Sequence, residues 1–389
     1  MLGWLAESRA IHPWVVEHRR AIHRQPELAF QEVKTAARIC ATLRELGIPF
    51  REKVGRTGVV ADLRVRDGAP TVALRADMDA LPVQEETDVP FRSEVPNVAH
   101  LCGHDGHVAM LLGAARLLAQ NRKALPVNVR FLFQPSEEKP PGGAPEMIRD
   151  GALEGVSEVF GLHVAPEVPV GHVSSRAGPI MAQSDRFDIV VTGQGGHGSR
   201  PQGAIDPVPA AAELVGALQT IVSRRVTPGE PCVVSVCMMR AGDTFNVIPP
   251  RAELSGTART LVPETSEAMP KWIEEIAQNV AAAHGCRAEV RYERGYPPLI
   301  NHAGSVERIR AAVESVLGEG RFLEHPVTMY GEDFSHYVRL RPGAFAFVGA
   351  GHPDRGPVEC CHSSRFFLDE EALAVGPAVF ARLIESYKV

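Results

Sequence analysis

Two stretches read as buried strands that run straight into carboxylates. Thr71-Val-Ala-Leu-Arg-Ala leads into Asp77-Met78-Asp79-Ala80-Leu81-Pro82, and Val127–Phe133 leads into Gln134-Pro135-Ser136-Glu137-Glu138. Apolar strands of this length suit the centre of a parallel sheet covered by helices on both faces. Open α/β sheets place their ligands just beyond the carboxyl ends of such strands. The chain is thereby directed toward an α/β fold with acids at one edge of its sheet. Each acidic run also has a plainer reading. Asp77–Asp79 suits a turn, and Ser136-Glu137-Glu138 suits the start of a helix, where acids are favoured. Pro140-Pro141-Gly142-Gly143 weakens the second reading, because it delays a helix to about 144–150. A glutamate pair in this position can divide its work, one ligating a metal and its neighbour acting as a general base.

A third stretch, Leu101-Cys-Gly-His-Asp-Gly-His107, sets a thiol, a carboxylate and two imidazoles among two glycines. Thiolate, imidazole and carboxylate are ligands of divalent metals, and glycine lets near neighbours converge on one ion. A polar loop that caps a helix is the plainer alternative. Val108–Leu118 reads as a strongly apolar helix, so the stretch lies at a helix N-terminus, where the dipole is expected to favour thiolate at Cys102. His163, at the end of the short strand Val159–Val164, gains weight as a ligand only in company.

Helical patterns cover 4–24, about 31–46, 303–319 and 369–387. Near residue 184 the texture changes to alternating strands. The order strand 186–192, helix from Asp206 or Pro207 to about 224, strands 232–240 and 252–260, helix 264–284 and strand 288–293 is β-α-β-β-α-β. It describes a small four-stranded sheet with two helices on one face. The expected architecture is a discontinuous domain of 1–183 and 296–389, with a mixed, mainly parallel sheet flanked by helices. An α+β domain of 184–295 is inserted into it. A length of 389 residues suits two domains. Gly193-Gln-Gly-Gly-His197-Gly lacks the ending and spacing of a nucleotide-binding loop.

Net charge of −6 disfavours a nucleic-acid binder. No apolar run approaches the ~20 residues of a membrane span. The opening residues lack the pattern of a secretory signal. Seven scattered cysteines form no disulfide framework, and a reducing cytoplasm is the expected compartment.

Taken together, His23-Arg-Gln-Pro-Glu-Leu, Leu74-Arg-Ala-Asp-Met-Asp-Ala-Leu-Pro82, Cys102-Gly-His-Asp-Gly-His107, Gln134-Pro-Ser-Glu-Glu138, Gly161-Leu-His-Val164, Gly195-Gly-His-Gly198, Phe245-Asn-Val-Ile-Pro249, Gly331-Glu-Asp-Phe334 and His362-Ser resemble the M20 metallopeptidase/amidohydrolase family. They cover nearly the whole chain in the family's order. The branch resembled is that of N-acyl-amino-acid hydrolases, which includes hippurate hydrolases, aminoacylase-like enzymes and auxin-conjugate hydrolases.

The resemblance implies two divalent metal ions, of Zn, Mn, Co or Ni. Their ligands would be Cys102, His104, Glu138, His163 and His362. Cys102 would bridge, with Glu138 and His362 on one ion and His104 and His163 on the other. Glu137 would be the general base toward the attacking water, and Asp79 would hold a ligand by hydrogen bond. Asp105 and His107 are left supporting roles. The inserted domain becomes a lid that also dimerises, in a homodimer or homotetramer. His197 would polarise the scissile carbonyl in a neighbouring subunit's site, and Asn246 and Arg259 would grip the substrate carboxylate. The implied activity is hydrolysis of N-acyl amino acids to a carboxylic acid and a free amino acid. A dipeptidase or carboxypeptidase, or an inactive binding relative, is the alternative. Two departures bear on specificity and metal uptake: Gly198-Ser199-Arg200-Pro201-Gln202 after the lid histidine, and Cys361 directly before His362.

Overall fold

The computed structural model describes residues 3–351 and 359–388. Met1 and Leu2, where the segment read for a secretory signal begins, lie outside them. The chain separates into two compact units. The first comprises Met1–Ile180, Ile300–Pro326 and Asp333–Val389, and the second Met181–Leu299 and Val327–Glu332.

The first unit begins with α1 (Trp4–Arg24). It buries Trp4, Ser8, Val15, Arg19, Ile22 and His23, a stripe at helical spacing. Pro26 follows its end. Next, α2 (Val33–Glu45) stops before Gly47, which takes a left-handed φ of 66° that a helix C-terminus favours. The sheet is built from β1 (Phe50–Val54), β2 (Gly58–Leu63), β3 (Thr71–Asp77), then, beyond α3 (His104–Gln120), from β4 (Asn128–Gln134) and, beyond α4 (Ala144–Arg149), β5 (Val156–Pro169) and β6 (Val173–Ser175). Strands Phe322–Glu324 and Gly343–Gly351 complete it. The order is β1, β2, β4, β3, β5, Gly343–Gly351, β6, Phe322–Glu324. Strands β4, β3, β5 and Gly343–Gly351 run parallel, whereas β1–β2 and β2–β4 are antiparallel. The result is the mixed, mainly parallel α/β sheet expected.

Register aligns the chemistry. Asp77 pairs with Gln134, Arg75 with Gly161, and His163 with Phe347. The end of β3, the end of β4 and His163 therefore share one level of the sheet. Helix α3 packs behind that level. It is buried on nearly every side, with Val108, Leu111, Leu112, Leu117 and Leu118 at most 1% exposed. Each such side chain contributes about 1.5–3 kcal/mol on leaving water.

Three sequence expectations change here. β4 is not apolar throughout: Asn128 and Arg130 are half-buried, and Arg130 pairs with Asp62 at 2.7 Å on β2. β5 runs well past Val164, so His163 is mid-strand rather than terminal. α3 begins at His104, four residues before the apolar run, because Gly103 turns the chain with a left-handed φ of 85°. A Cβ at Gly103 would run into Val164.

In the second unit, Cys232–Ala241, Arg251–Thr260, Gln183–Thr192 and Arg287–Glu293 form one antiparallel sheet in that order. Alternation along Gln183–Thr192 buries Phe187, Ile189 and Val191. They join Leu214 and Leu218 of helix Pro207–Thr220 and Met269, Ile273 and Ala277 of helix Pro263–Ala283 in a core of its own. Asp206 caps the first helix by accepting from the Val208 amide at 2.9 Å. Val327–Glu332 is tied to this unit through the Ala182 amide, which donates to the Tyr330 carbonyl at 3.0 Å. Among the described residues, no helix is long and apolar enough to cross a membrane.

Candidate metal centre

Five segments of the first unit converge at the common level of the strand ends. Cys102 immediately precedes α3 and is 8% exposed, and His104 is the first residue of α3 and 1% exposed. Glu137 and Glu138 follow β4, Asp77 ends β3 with Asp79 two residues beyond it, and His163 comes from β5. His362 arrives from a loop near the C-terminus, which the His362 amide fastens by donating to the Leu101 carbonyl at 2.7 Å. His362 holds this place with a left-handed φ of 72°.

Donor atoms gather in overlapping threes. Cys102, His104 and His163 form one group and Cys102, Glu138 and His362 another, with the atoms of each group within 4.8 Å of one another. Cys102 is common to both. Cys102 Sγ lies 3.4 Å from His163 Nε2, and Glu138 Oε1 lies 3.2 Å from His362 Nε2 and 3.8 Å from His104 Nε2. Glu137 Oε2 is 4.0 Å from His104 Nε2.

The surroundings hold these side chains in the forms a cation needs. His163 Nδ1–H donates to the Val164 carbonyl at 2.7 Å, which leaves Nε2 with its lone pair toward Cys102. His107 Nε2 accepts the Val164 amide hydrogen at 2.8 Å, so its proton sits on Nδ1, which donates to Asp77 at 2.5 Å. Asp79 accepts from the amides of Glu137 at 2.9 Å and Glu138 at 3.0 Å, and its Oδ1 is 3.3 Å from His104 Nδ1. Among the described residues, neither ring nitrogen of His104 nor Oε1 of Glu138 has a hydrogen-bond partner, although all three are buried. Leaving such atoms unpaired is costly, and a cation between them would remove that cost. Burial disfavours a charged His104, but Asp77, Asp79 and Glu138 outweigh it and push its pKa up to about 10. A pocket that draws a proton so strongly has the electrostatics of a cation site.

The thiol departs from expectation. A hydrogen bond with Cys361, burial, and the nearby charges of Glu138 and Glu137 hold the Cys102 thiol well above its ordinary range. The bond with Cys361 and the burial of the sulfur outweigh the helix N-terminus.

Asp105 and His107 serve as supports. Asp105 accepts from Arg19 Nε at 2.9 Å and bonds His23 Nδ1 at 2.8 Å, and His23 Nε2 meets Glu85 at 3.2 Å. A second buried set was not legible as a site. Arg75 donates to Asp77 at 2.6 Å, to Gln134 at 2.9 Å and to Asp333 at 2.9 Å, and Gln134 donates to Asp333 at 2.7 Å. The signal lay in Leu-Arg-Ala-Asp: an arginine inside a buried strand requires buried acids.

The remaining candidates belong to the second unit. Exposed His197 pairs with Val247, and the Gly198 amide donates to the Asn246 carbonyl at 2.9 Å, so His197 and Asn246 are neighbours. Ser199 donates through its amide to His197 Nδ1 at 3.1 Å, with its hydroxyl 2.9 Å away. Arg259 sits near the end of the strand Arg251–Thr260, opposite Ser184 and Val233, and donates to the Met329 carbonyl at 3.2 Å.

Residues 73–386 match the sequence profile described as Peptidase family M20/M25/M40. The chain belongs to this family. It is 40% identical over 378 residues to an N-acetylcysteine deacetylase of Bacillus subtilis, covering 97% of each chain. It is 38% identical over 387 residues to the IAA-amino acid hydrolase ILR1-like 4 of Arabidopsis thaliana, covering 98% of this chain and 88% of that one. Among solved structures, it superposes with a TM-score of 0.85 and 37% identity on the YXEP protein of Bacillus subtilis, described as a dinuclear metal binding peptidase from the M20 family. That match covers 97% of this chain and 98% of the other. The M20 chain is thus a hydrolase with residue groups suited to metal ions.

Proposed function

We propose that this M20 hydrolase is a metal-dependent amidohydrolase that cleaves N-acyl amino acids, such as N-benzoyl or N-acetyl amino acids, to a carboxylic acid and a free amino acid. The observation that carries the reading is the pair of donor groups sharing Cys102, with Glu137 beside them. Cys102, His104 and His163 would hold one divalent ion and Cys102, Glu138 and His362 the other. The buried atoms of His104 and Glu138 that lack a hydrogen bond support that assignment. Two bound ions of Zn, Mn, Co or Ni would supply Lewis acidity to the amide carbonyl and to water.

The chain supplies the rest. Glu137 takes a proton from the attacking water and returns it to the leaving nitrogen. Asp79 fixes the backbone from which Glu137 projects, by accepting its amide hydrogen. Nδ1 of His197 accepts from Ser199, so a neutral ring carries its proton on Nε2 and can donate to the oxyanion. Asn246 and Arg259 take the substrate carboxylate, for which the guanidinium fork is suited. The second unit pairs with another copy in a homodimer or homotetramer. All seven cysteines are free thiols, which suits a reducing cytoplasm.

The names of an N-acetylcysteine deacetylase and an IAA-amino acid hydrolase among the relatives support an acyl-amino-acid substrate, and those of two thermostable carboxypeptidases support the peptidase alternative. The test is metal analysis of purified protein beside a panel of N-acetyl, N-benzoyl and indole-acetyl amino acids and dipeptides. Turnover of N-acyl members that stops on chelation and returns with divalent metal is expected. Cleavage of dipeptides alone would favour a peptidase. No cleavage by metal-replete protein would favour a binding role.

A further inference from the structure

The amides of three consecutive residues, Ser136, Glu137 and Glu138, all donate to buried carboxylates. Asp79 takes the second and third. The first goes to a different acid: the Ser136 amide donates to Glu32 Oε1 at 2.9 Å. Glu32 precedes α2 and is 0% exposed. Its Oε1 also accepts from the Phe30 amide at 2.9 Å, and its Oε2 accepts from the Thr57 hydroxyl at 2.5 Å. Burial outweighs these three donors and pushes the Glu32 pKa up to about 7, so the group is held by its hydrogen bonds and not by an ion pair.

Both amide partners are unusual. Phe30 has a φ of 60° and Ser136 a φ of 52°, the left-handed region that side chains other than glycine's rarely occupy. Such conformations persist only where neighbouring groups over-determine them. Ser136 is the residue at which the chain turns out of β4 and from which Glu137 departs. The rest of the loop is tied down independently of Glu32. Asp333 accepts from Gln134 at 2.7 Å before the turn and from the Ala144 amide at 3.0 Å after it. A Cβ on Gly142 would collide with Asp333, so the loop closes tightly on that acid. At the turn itself the Ser136 carbonyl accepts from the Gly143 amide at 2.9 Å and Asp79 takes the next two amides, while the Ser136 amide is held by Glu32.

We propose that Glu32 is a positioning residue for the hydrolysis, holding the left-handed turn at Ser136 and so aiming Glu137 at its water. The inference rests on Glu137 being the base. It gives a role to an acid buried away from the metal ligands and 105 positions before the base it aims. A carboxylate that merely anchored α2 would have no bearing on turnover at full metal occupancy.

The experiment compares metal-loaded wild type, Glu32→Gln, Glu32→Ala and Glu137→Gln on the best N-acyl substrate of the panel, with metal content and hydrogen–deuterium exchange across 134–143. A misplaced base is expected to lower kcat about a hundredfold in Glu32→Ala, with KM and bound metal within about twofold of wild type. Glu32→Gln retains an oxygen for Ser136 but replaces the acceptor that faces the Thr57 hydroxyl by an NH2 group, and is expected to lie between, at about tenfold. Exchange across 134–143 should quicken in Glu32→Gln at an unchanged melting temperature. If Glu32→Ala does not fold, Glu32→Gln carries the comparison. A folded, metal-loaded Glu32 variant with wild-type kcat overturns the proposal, as does activity loss that follows metal loss, or unchanged exchange across the turn. An inactive Glu137→Gln beside fully active Glu32 variants would sink this inference alone. An active Glu137→Gln would sink the base assignment beneath it. Should no member of the panel turn over, the exchange measurement decides whether Glu32 holds the turn.

Discussion

His107 Nε2 accepts the amide hydrogen of Val164 at 2.8 Å, tying the first turn of α3 to β5 one residue beyond His163. The other nitrogen of the ring is bonded to Asp77. His107 therefore sets the spacing between His104, on its own helix, and His163, on the neighbouring strand. Replacing it by Ala is expected to weaken metal binding about 10–100-fold, as for other residues that orient ligands without touching the ion. Competition against a chromophoric chelator measures it. Wild-type affinity would show that the two histidines are held apart by something else.

Gly103 sets the same spacing from the backbone. Gly103→Ala forces a side chain into a left-handed φ, at a cost of about 1–2 kcal/mol, and presses a methyl against Val164. The expected result is a fall in melting temperature together with weaker metal retention. Thermal denaturation with and without divalent metal reads both.

The support beneath α3 predicts a pH dependence. Burial alone would raise the pKa of Glu85, but hydrogen bonds from His23, the Ser93 amide and Thr87 outweigh it and bring it down to about 2. A depressed carboxylate contributes stability above its unfolded pKa and loses it as pH falls through the folded one. The stability gap between wild type and Glu85→Gln should therefore be full near neutrality and close as pH drops from about 5 toward 2. His23 behaves oppositely. Asp105 and Glu85 raise its pKa against its burial, so its contribution is complete below 6.5 and fades as pH rises through the higher folded value. Denaturation midpoints across pH test both signs, and a gap that widened in acid would contradict the Glu85 assignment.

In the second unit, His197→Ala should lower kcat about 10²–10³-fold with metal content unchanged, the loss typical of removing an oxyanion donor. Ser199→Ala keeps the amide that donates to Nδ1 and removes only the hydroxyl. Its cost should be a few-fold at most. Equal losses in the two variants would mean that the hydroxyl, and not the imidazole, is the group that acts.

Much of this was legible in the chain, for reasons that differ from residue to residue. The β3 and β4 strands announced themselves because a buried strand ending in acids has few other uses. Cys102 and His104 stood out through their density in one heptapeptide. His163 and His362 did not: each is a single histidine whose company is created by strand register and by one backbone hydrogen bond to Leu101. The length of β5 was hidden because proline lacks the amide that a sheet uses, yet the strand runs through Pro166 and ends at Pro169. Asp333 and Glu32 were invisible as partners of the glutamate loop. Contacts 199 and 104 positions apart leave no local pattern.

The central claim is that Glu137 moves the proton while its neighbours hold the metals. The direct measurement is the turnover of Glu137→Gln on an N-acyl amino acid, with bound metal determined on the same sample. Full metal content with kcat lowered about 10²–10⁴-fold is expected. Near-wild-type turnover at full metal content would contradict the account, whatever the fate of the other variants.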